Sequence, residues 1–259
     1  MAYLMESPSE GTRLRAKTDL RAVEEELELT GLRAGAVALD AGCASGAVTS
    51  ALSALVGPGG RVYGIDLSQD RLGQAKATCP GATFLRGDLG HLPLATASVD
   101  YALCRLVLEY IPEPQPLVFE LIRVARPGGR VVLVDVDGYG AFHHPLTDAR
   151  REAVQTIGTL LERAGFDAFV GRKLYGFLRA AGLERIAVHL RPYHLKVGSA
   201  DSTTLSNWTY KLQTLAKLGH WAIGREAYER AAGTVLEMLR DPEVLSYSTL
   251  FLVAGTLPQ

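Results

Sequence analysis

The 259-residue chain is poor in cysteine, modest in aromatics and without an excess of either charge, and each shortage excludes something. Its three cysteines, Cys43, Cys79 and Cys104, lie far apart and form no Cys-x-x-Cys pair. That spacing excludes a zinc ribbon or a dithiol redox motif, and it suits a reducing compartment such as the cytoplasm. Lysine and arginine number 27 against 28 aspartates and glutamates, a net charge of −1. So balanced a chain offers no basic stripe, and neither nucleic acid nor an anionic membrane is an expected partner. The run Val131–Val134 is bounded by Arg130 and Asp135, far short of the roughly 18 apolar residues of a membrane span. Met1–Glu6 has no basic segment leading into an apolar run and does not read as a signal peptide. With 47% of residues hydrophobic and 21% charged, the chain has enough apolar material for a core, which excludes disorder as its main description.

What is present is an alternation of two periods. Leu20–Leu32 places Leu20, Val23, Leu27 and Leu29 at helical spacing around the solvated run Glu24–Glu26, and Gly31 is a stop signal. Residues 36–136 then alternate short apolar strands with helices. The predicted strands are 36–39, 61–65, 83–85, 99–104 and 130–136. The predicted helices are 46–56, 68–78 (with Ser68 as its cap) and 117–124. This order argues for a mostly parallel sheet with helices on both faces. Helices are predicted again over 146–164, 173–181 and 200–242, and strands over 185–190 and 247–253. The layout predicts an α/β protein in three parts. These are an N-terminal helical cap (1–35), a core (36–194 with 246–259), and a helical insertion (195–245) before the last strand. That stretch is too long for a simple connection.

The strongest local signal is Leu39-Asp40-Ala41-Gly42-Cys43-Ala44-Ser45-Gly46, a buried strand entering a turn of small residues that opens a helix. Such turns let a ligand approach the backbone closely. Twenty residues on, Gly64-Ile65-Asp66 places an acid at the end of the next strand, where it suits ribose hydroxyls. A dinucleotide turn requires glycine at 44 and 47, where this chain has Ala44 and Ala47. Asp40 at the mouth of the turn repels a pyrophosphate and suits a cationic ligand.

This segment resembles the first motif of class I S-adenosylmethionine-dependent methyltransferases, with Ala44 in place of the middle glycine. Four further segments resemble that family in order. They are Tyr63-Gly64-Ile65-Asp66-Leu67-Ser68, Phe84-Leu85-Arg86-Gly87-Asp88-Leu89, Ser98-Val99-Asp100-Tyr101-Ala102 and Arg126-Pro127-Gly128-Gly129-Arg130. The resemblance covers residues 35–136 and is greatest for the ubiquinone- and menaquinone-biosynthesis type, a subgroup that includes many natural-product enzymes. It implies a Rossmann-like fold with a seven-stranded sheet. It also implies S-adenosyl-L-methionine as cofactor, with S-adenosyl-L-homocysteine as product, and methyl transfer to O, N or C of a small molecule. Gly42, Cys43 and Gly46 would then pass the methionine moiety through backbone contacts, and Asp40 would meet its ammonium. Asp66 would hold the ribose, Leu67 would pack on adenine, and Asp88 with Leu89 would cap the adenine edge. Arg105 would stand where a backbone carbonyl meets the ammonium, and Arg13 in a leader helix would pair the carboxylate.

Other candidates rest on position. His143 and His144 follow the fifth strand and are candidate bases. Tyr3, Tyr139, Tyr193, His194, Trp208 and Trp221 are candidates for the acceptor pocket. Asp135 and Asp137 lack a third ligand, so no metal is expected. Asp/Asn-Pro-Pro-Tyr and Pro-Cys segments are absent, which disfavours amino- or C5-methylation of DNA bases. Two alternatives stay open on the residues alone. One is a nicotinamide-dependent oxidoreductase, and the other is a non-catalytic nucleoside-binding subunit. Monomer and homodimer are equally compatible with the sequence.

Overall fold

The computed structural model describes residues 10–259. In chain order the elements are α1 (Glu10–Lys17), α2 (Leu20–Leu29), β1 (Val37–Ala41), α3 (Ala47–Val56), β2 (Arg61–Asp66), α4 (Gln69–Thr78), β3 (Thr83–Arg86) and β4 (Val99–Arg105). They continue as α5 (Gln115–Val124), β5 (Ala125–His144), α6 (Asp148–Arg163), α7 (Leu174–Ala180), β6 (Glu184–Val197), α8 (Ser202–Ile223), α9 (Arg225–Arg240) and β7 (Leu245–Thr256). The strands form one seven-stranded sheet in the order β3-β2-β1-β4-β5-β7-β6. β1 to β5 pair in parallel, and β7 runs antiparallel to both of its neighbours. The direction of winding reverses between β1 and β4. In open α/β sheets a ligand crevice opens at the carboxyl ends of the strands that flank such a reversal.

The central strands are apolar throughout because both faces are covered. Along β4, Val99, Ala102 and Cys104 pack with α5 and α7 on one side, while Tyr101 and Leu103 pack with α2 and α3 on the other. β5 divides its side chains likewise, Val131 and Leu133 against Val132 and Val134. Ser68 caps its helix as expected, and Asp19 caps α2. Asp19 accepts hydrogen bonds from the Arg21 and Ala22 amides, and Ser68 from the Arg71 amide.

Two expectations need correction. The fifth and sixth strands are far longer than predicted, at 20 and 14 residues. The antiparallel β7 continues their ladders to His144–Leu245 and Val197–Leu245, across register shifts. Sequence periodicity misses these extensions because a half-exposed ribbon lacks the apolar run of a buried strand. The helical insertion is also not self-contained. It breaks at Gly224 (φ +83°) into α8 and α9, and these share a core with α6 through Ile157, Leu160, Leu212, Leu215, Tyr228 and Val235. The cap over the sheet is therefore a three-helix unit assembled from two stretches of chain.

Gly219 sets how closely α8 and α9 approach. A Cβ there would lie 2.1 Å from the Tyr228 ring, and the Tyr228 hydroxyl donates to the Leu212 carbonyl. Gly219→Ala gains about 1 kcal/mol of helix propensity but must push the ring aside, at a cost of about 1–3 kcal/mol. A net fall in melting temperature is expected by calorimetry, with Tyr228→Ala in the same background removing the clash. A Gly219→Ala protein more stable than the parent would show that the helices are free to separate.

Candidate functional site

The turn after β1 is a chain of left-handed residues: Gly42 (φ +85°), Ala44 (+46°) and Gly46 (+82°). Gly42 is required by space, since a Cβ would lie 2.5 Å from Val107 Cγ2. At Gly46 a Cβ would lie 3.0 Å from the Ala75 backbone of α4. The amides of the turn are largely spent within the protein. Gly42 and Cys43 donate to the Ile65 carbonyl (2.8 and 3.0 Å), Ala44 donates to Asp66 Oδ2 (3.0 Å), and Gly46 donates to the Cys43 carbonyl (2.9 Å). The amides of Gly42, Cys43, Ala44 and Gly46 are thus used within the protein, while Gly42 and Cys43 stay on the cleft wall. Burial, with Asp40 and Asp66 nearby, pushes the Cys43 thiol up, so it stays neutral.

A cleft of about 700 Å³ opens at this turn, at the β1/β4 reversal. Among its lining residues are Asp40, Gly42, Cys43, Asp66, Leu67, Asp88, Leu89 and Arg105. Gly46 does not line it and serves the packing of α3 on α4. The three acids differ in their surroundings. Asp40 is buried and accepts a hydrogen bond from Thr49 Oγ1 (2.6 Å). Burial raises its pKa to about 6, the Thr49 bond and Arg105 oppose the rise, and Asp66 adds to it. Asp66 accepts from the Ala44 and Ser68 amides (3.0 and 2.9 Å) and from Arg71 Nε and Nη2 (3.3 and 3.2 Å). Asp88 accepts from the Gly90 amide (2.9 Å). Leu67 leaves 60% of its surface exposed on the cleft, an apolar platform for a planar group.

α1 lies over the turn. Ser45 Oγ donates to the Gly11 carbonyl (3.0 Å), and Arg13 Nη1 reaches Asn207 Oδ1 of α8 (3.3 Å). Arg13, Leu14 and Thr18 line the cleft beneath. Arg105 also lines it, but its guanidinium is committed to Glu26 of α2 (2.8 and 3.3 Å). Burial works against the Arg105 charge, and Glu26 more than restores it.

The far end of the cleft is formed by residues that motif reading missed: Glu109, Tyr110, Ile111 and Pro112 after β4, and Lys211 of α8. The first four could have been found from their place just beyond β4 at the reversal. Lys211 carried no sequence signal. Asp135 lies beneath, its carboxyl accepting the Glu109 and Val136 amides (3.2 and 2.8 Å). Burial, and then the neighbouring Glu109, raise its pKa well above the usual carboxylate range. Tyr139 and Tyr193 also line this end. Trp208 and His194 stand behind Tyr139, with ring centroids at 5.6 and 5.1 Å, rather than on the cleft itself.

Three expectations do not survive as geometry. His143 and His144 ride the long β5–β7 ribbon away from the cleft. His143 is bonded to Ser246 Oγ (2.8 Å) and to the Gly140 carbonyl (3.0 Å), burial lowers its pKa, and His144 is exposed. Trp221 is 84% exposed at the end of α8 and lines no pocket wall described for the cleft. Tyr3 lies outside the described residues. Among the described residues no group of three His, Cys, Asp or Glu is placed to hold a metal, and no helix is long and apolar enough to cross a membrane.

Comparison with known proteins agrees with this geometry. Residues 39–133 match the family model described as a methyltransferase domain. The chain is 39% identical over 160 residues to an uncharacterized 37.1 kDa protein in transposon TN4556 of Streptomyces fradiae, covering 60% of this chain and 46% of that one. It is 38% identical over 108 residues to a demethylmenaquinone methyltransferase of Staphylococcus aureus, covering 40% and 45%. The chain thus spans less than half the length of these curated relatives. A SAM-dependent methyltransferase from Aquifex aeolicus shares the fold, with a TM-score of 0.57 at 19% identity over 97% of this chain and 99% of that one.

The Arg105–Glu26 pair is structural, and its removal should show it. Glu26→Leu leaves a buried guanidinium uncompensated, at an expected cost of about 3–5 kcal/mol in urea denaturation. Glu26→Leu with Arg105→Met removes both charges and should recover most of that loss. A single variant as stable as the parent would mean that Arg105 finds another partner.

Proposed function

We propose that the chain is a class I S-adenosylmethionine-dependent methyltransferase that transfers a methyl group to an O, N or C atom of a small molecule, acting in secondary metabolism, a reading supported by the match of residues 39–133 to a methyltransferase domain. The observation that carries this reading is Asp40, a buried carboxylate on the cleft wall. It is short of solvation and best satisfied by a cationic ligand group. Ala44 and Ala47, where a dinucleotide turn has glycine, disfavour a nicotinamide dinucleotide.

The residues present fit the cofactor. Asp40 would face its ammonium, Asp66 its ribose, Leu67 and Leu89 the faces and edge of its base, and Asp88 the exocyclic amine. Asp66 meets its ribose role while also bonded to Arg71, so the hydroxyls must share or displace that guanidinium. When bound, the cofactor supplies a sulfonium-activated methyl group with a neutral leaving group. The protein then has chiefly to align and exclude water, and α1 and α8 meet over the cleft to do so. With the histidines elsewhere, positioning is the main source of rate. The size of the cleft, about 700 Å³, supports a small-molecule acceptor. The free buried cysteines, together with the lack of a membrane-crossing helix among the described residues, support a cytoplasmic setting.

Titration calorimetry with S-adenosylhomocysteine tests the reading, and a folded protein that does not bind it would refute it. Asp66→Ala should weaken binding by at least about tenfold, since hydrogen bonds to charged groups contribute about 1.5–3 kcal/mol.

The pH dependence follows from Asp40. Its pKa near 6 before binding means that below that pH an incoming ammonium must first expel a proton. Affinity should be level from pH 7 to 8 and fall towards tenfold per unit below about 6. Asp40→Asn should bind weakly with that slope removed. An unchanged slope in this variant would assign the titration to another group.

A further inference from the structure

Where the last three strands run past α7, no described element covers that face of the sheet. We propose that this face binds a second copy of the chain, giving a dimer with a two-fold axis through the face.

The alternation of β6 creates the face. Arg191, Tyr193 and Lys196 turn to the helical side, where Arg191 meets Glu25 of α2, Tyr193 packs on the core, and Lys196 bonds to the Met238 carbonyl of α9. Val188, Leu190, Leu195 and Val197 turn the other way. β7 adds Leu245 and Tyr247 beside them, with Leu245 directly opposite Val197. These six side chains are between 39% and 78% exposed. Phe142 of β5 stacks on Tyr247, with ring centroids at 5.2 Å, and widens the face by a strand. α7 covers only the other end of this side, being seven residues long and lying with Leu178 against Gly255.

Size and charge together select the occupant. At roughly 200 Å² for a large side chain, six that are about half exposed leave on the order of 600 Å² open. That is the top of the range for a monomer's surface and approaches the ~800 Å² that each partner brings to a stable interface. A two-fold axis sets a patch against itself, so a charge on it meets its own like. None of the six is charged, and His144, opposite Leu245, is the one ionisable side chain in the same rows. At the rim Arg172 lies over Phe169, and Asp137 takes its charge (2.7 Å). Such a face has no basic cluster for an anionic lipid surface and none of the charge that a charged partner would answer. It matches an equally flat, uncharged face, which a second copy supplies.

The open edge of β6 is protected, and the face is not. Pro192 has no amide to donate, and Arg185 and His194, with φ of +45° and +49°, stand at the two breaks in the β6–β7 register. Proline and bulges blunt an edge against strand addition. The copies therefore meet face to face, as stacked sheets do.

Sedimentation velocity on the full chain tests this, and a dimer is expected at about 50 µM. Leu190→Asp with Val197→Asp should be monomeric with an unchanged circular dichroism spectrum. Leu195→Thr with Val197→Thr keeps strand propensity and should weaken the dimer at least about tenfold, which decides the matter if the first pair does not fold. Trp221→Asp, on a residue just as exposed but on α8, should stay dimeric. A parent chain that is monomeric at that concentration, a dimer untouched by the folded double variants, or one broken by Trp221→Asp would overturn the proposal. So would a monomer that cosediments with phosphatidylcholine–phosphatidylglycerol vesicles, which would give the face to lipid.

Discussion

The site depends on the carboxylate of Asp66. At the end of β2 it accepts the amide of Ala44 from the neighbouring turn, the amide of Ser68 at the start of α4, and the guanidinium of Arg71 one turn later. A residue with a side chain in the left-handed region costs about 1–2 kcal/mol, and Ala44 is one. The bond to Asp66 helps hold that strained residue in place. Through this one group the β1 turn, the β2 end and the α4 start become a single rigid lip. Gly46 lets α3 and α4 approach closely enough to complete it.

On this lip the protein sets two kinds of surface. The near end is acidic and small-featured. The far end is aromatic and bears one acid and one base, and it comes from three separate places: the segment after β4, β5 with β6, and α8. α1 and α8 touch above the cleft through Arg13 and Asn207, so the two ends are covered by elements 194 residues apart in sequence. The buried Arg105–Glu26 pair ties α2 to the end of β4 beside the same cleft.

The strand–helix alternation of the core and the acids and glycines at the turn end of the cleft were legible because local chemistry specifies both. Apolar runs bounded by glycine define the strands, Ser68 and Asp19 cap helices wherever they occur, and Asp40, Gly42 and Asp66 belong to short contiguous motifs. How the turn is held was not legible: Ile65, Asp66 and Cys43 accept the amides of Gly42, Cys43, Ala44 and Gly46.

The far end of the cleft was decided by tertiary structure alone. His143 and His144 directly follow a core strand in sequence, yet the pairing of β5 with β7 carries them out along a ribbon. Lys211 sits in a helix with no motif, yet the packing of α6, α8 and α9 delivers it to Tyr139. By itself the sequence determined the sheet, its order of elements and the acids at the strand ends, because each follows from periodicity or from neighbours a few residues away. Which side chains face the acceptor depends on long-range pairing and on how three helices share one core. Those contacts join residues with no local relation to one another, so no local pattern records them.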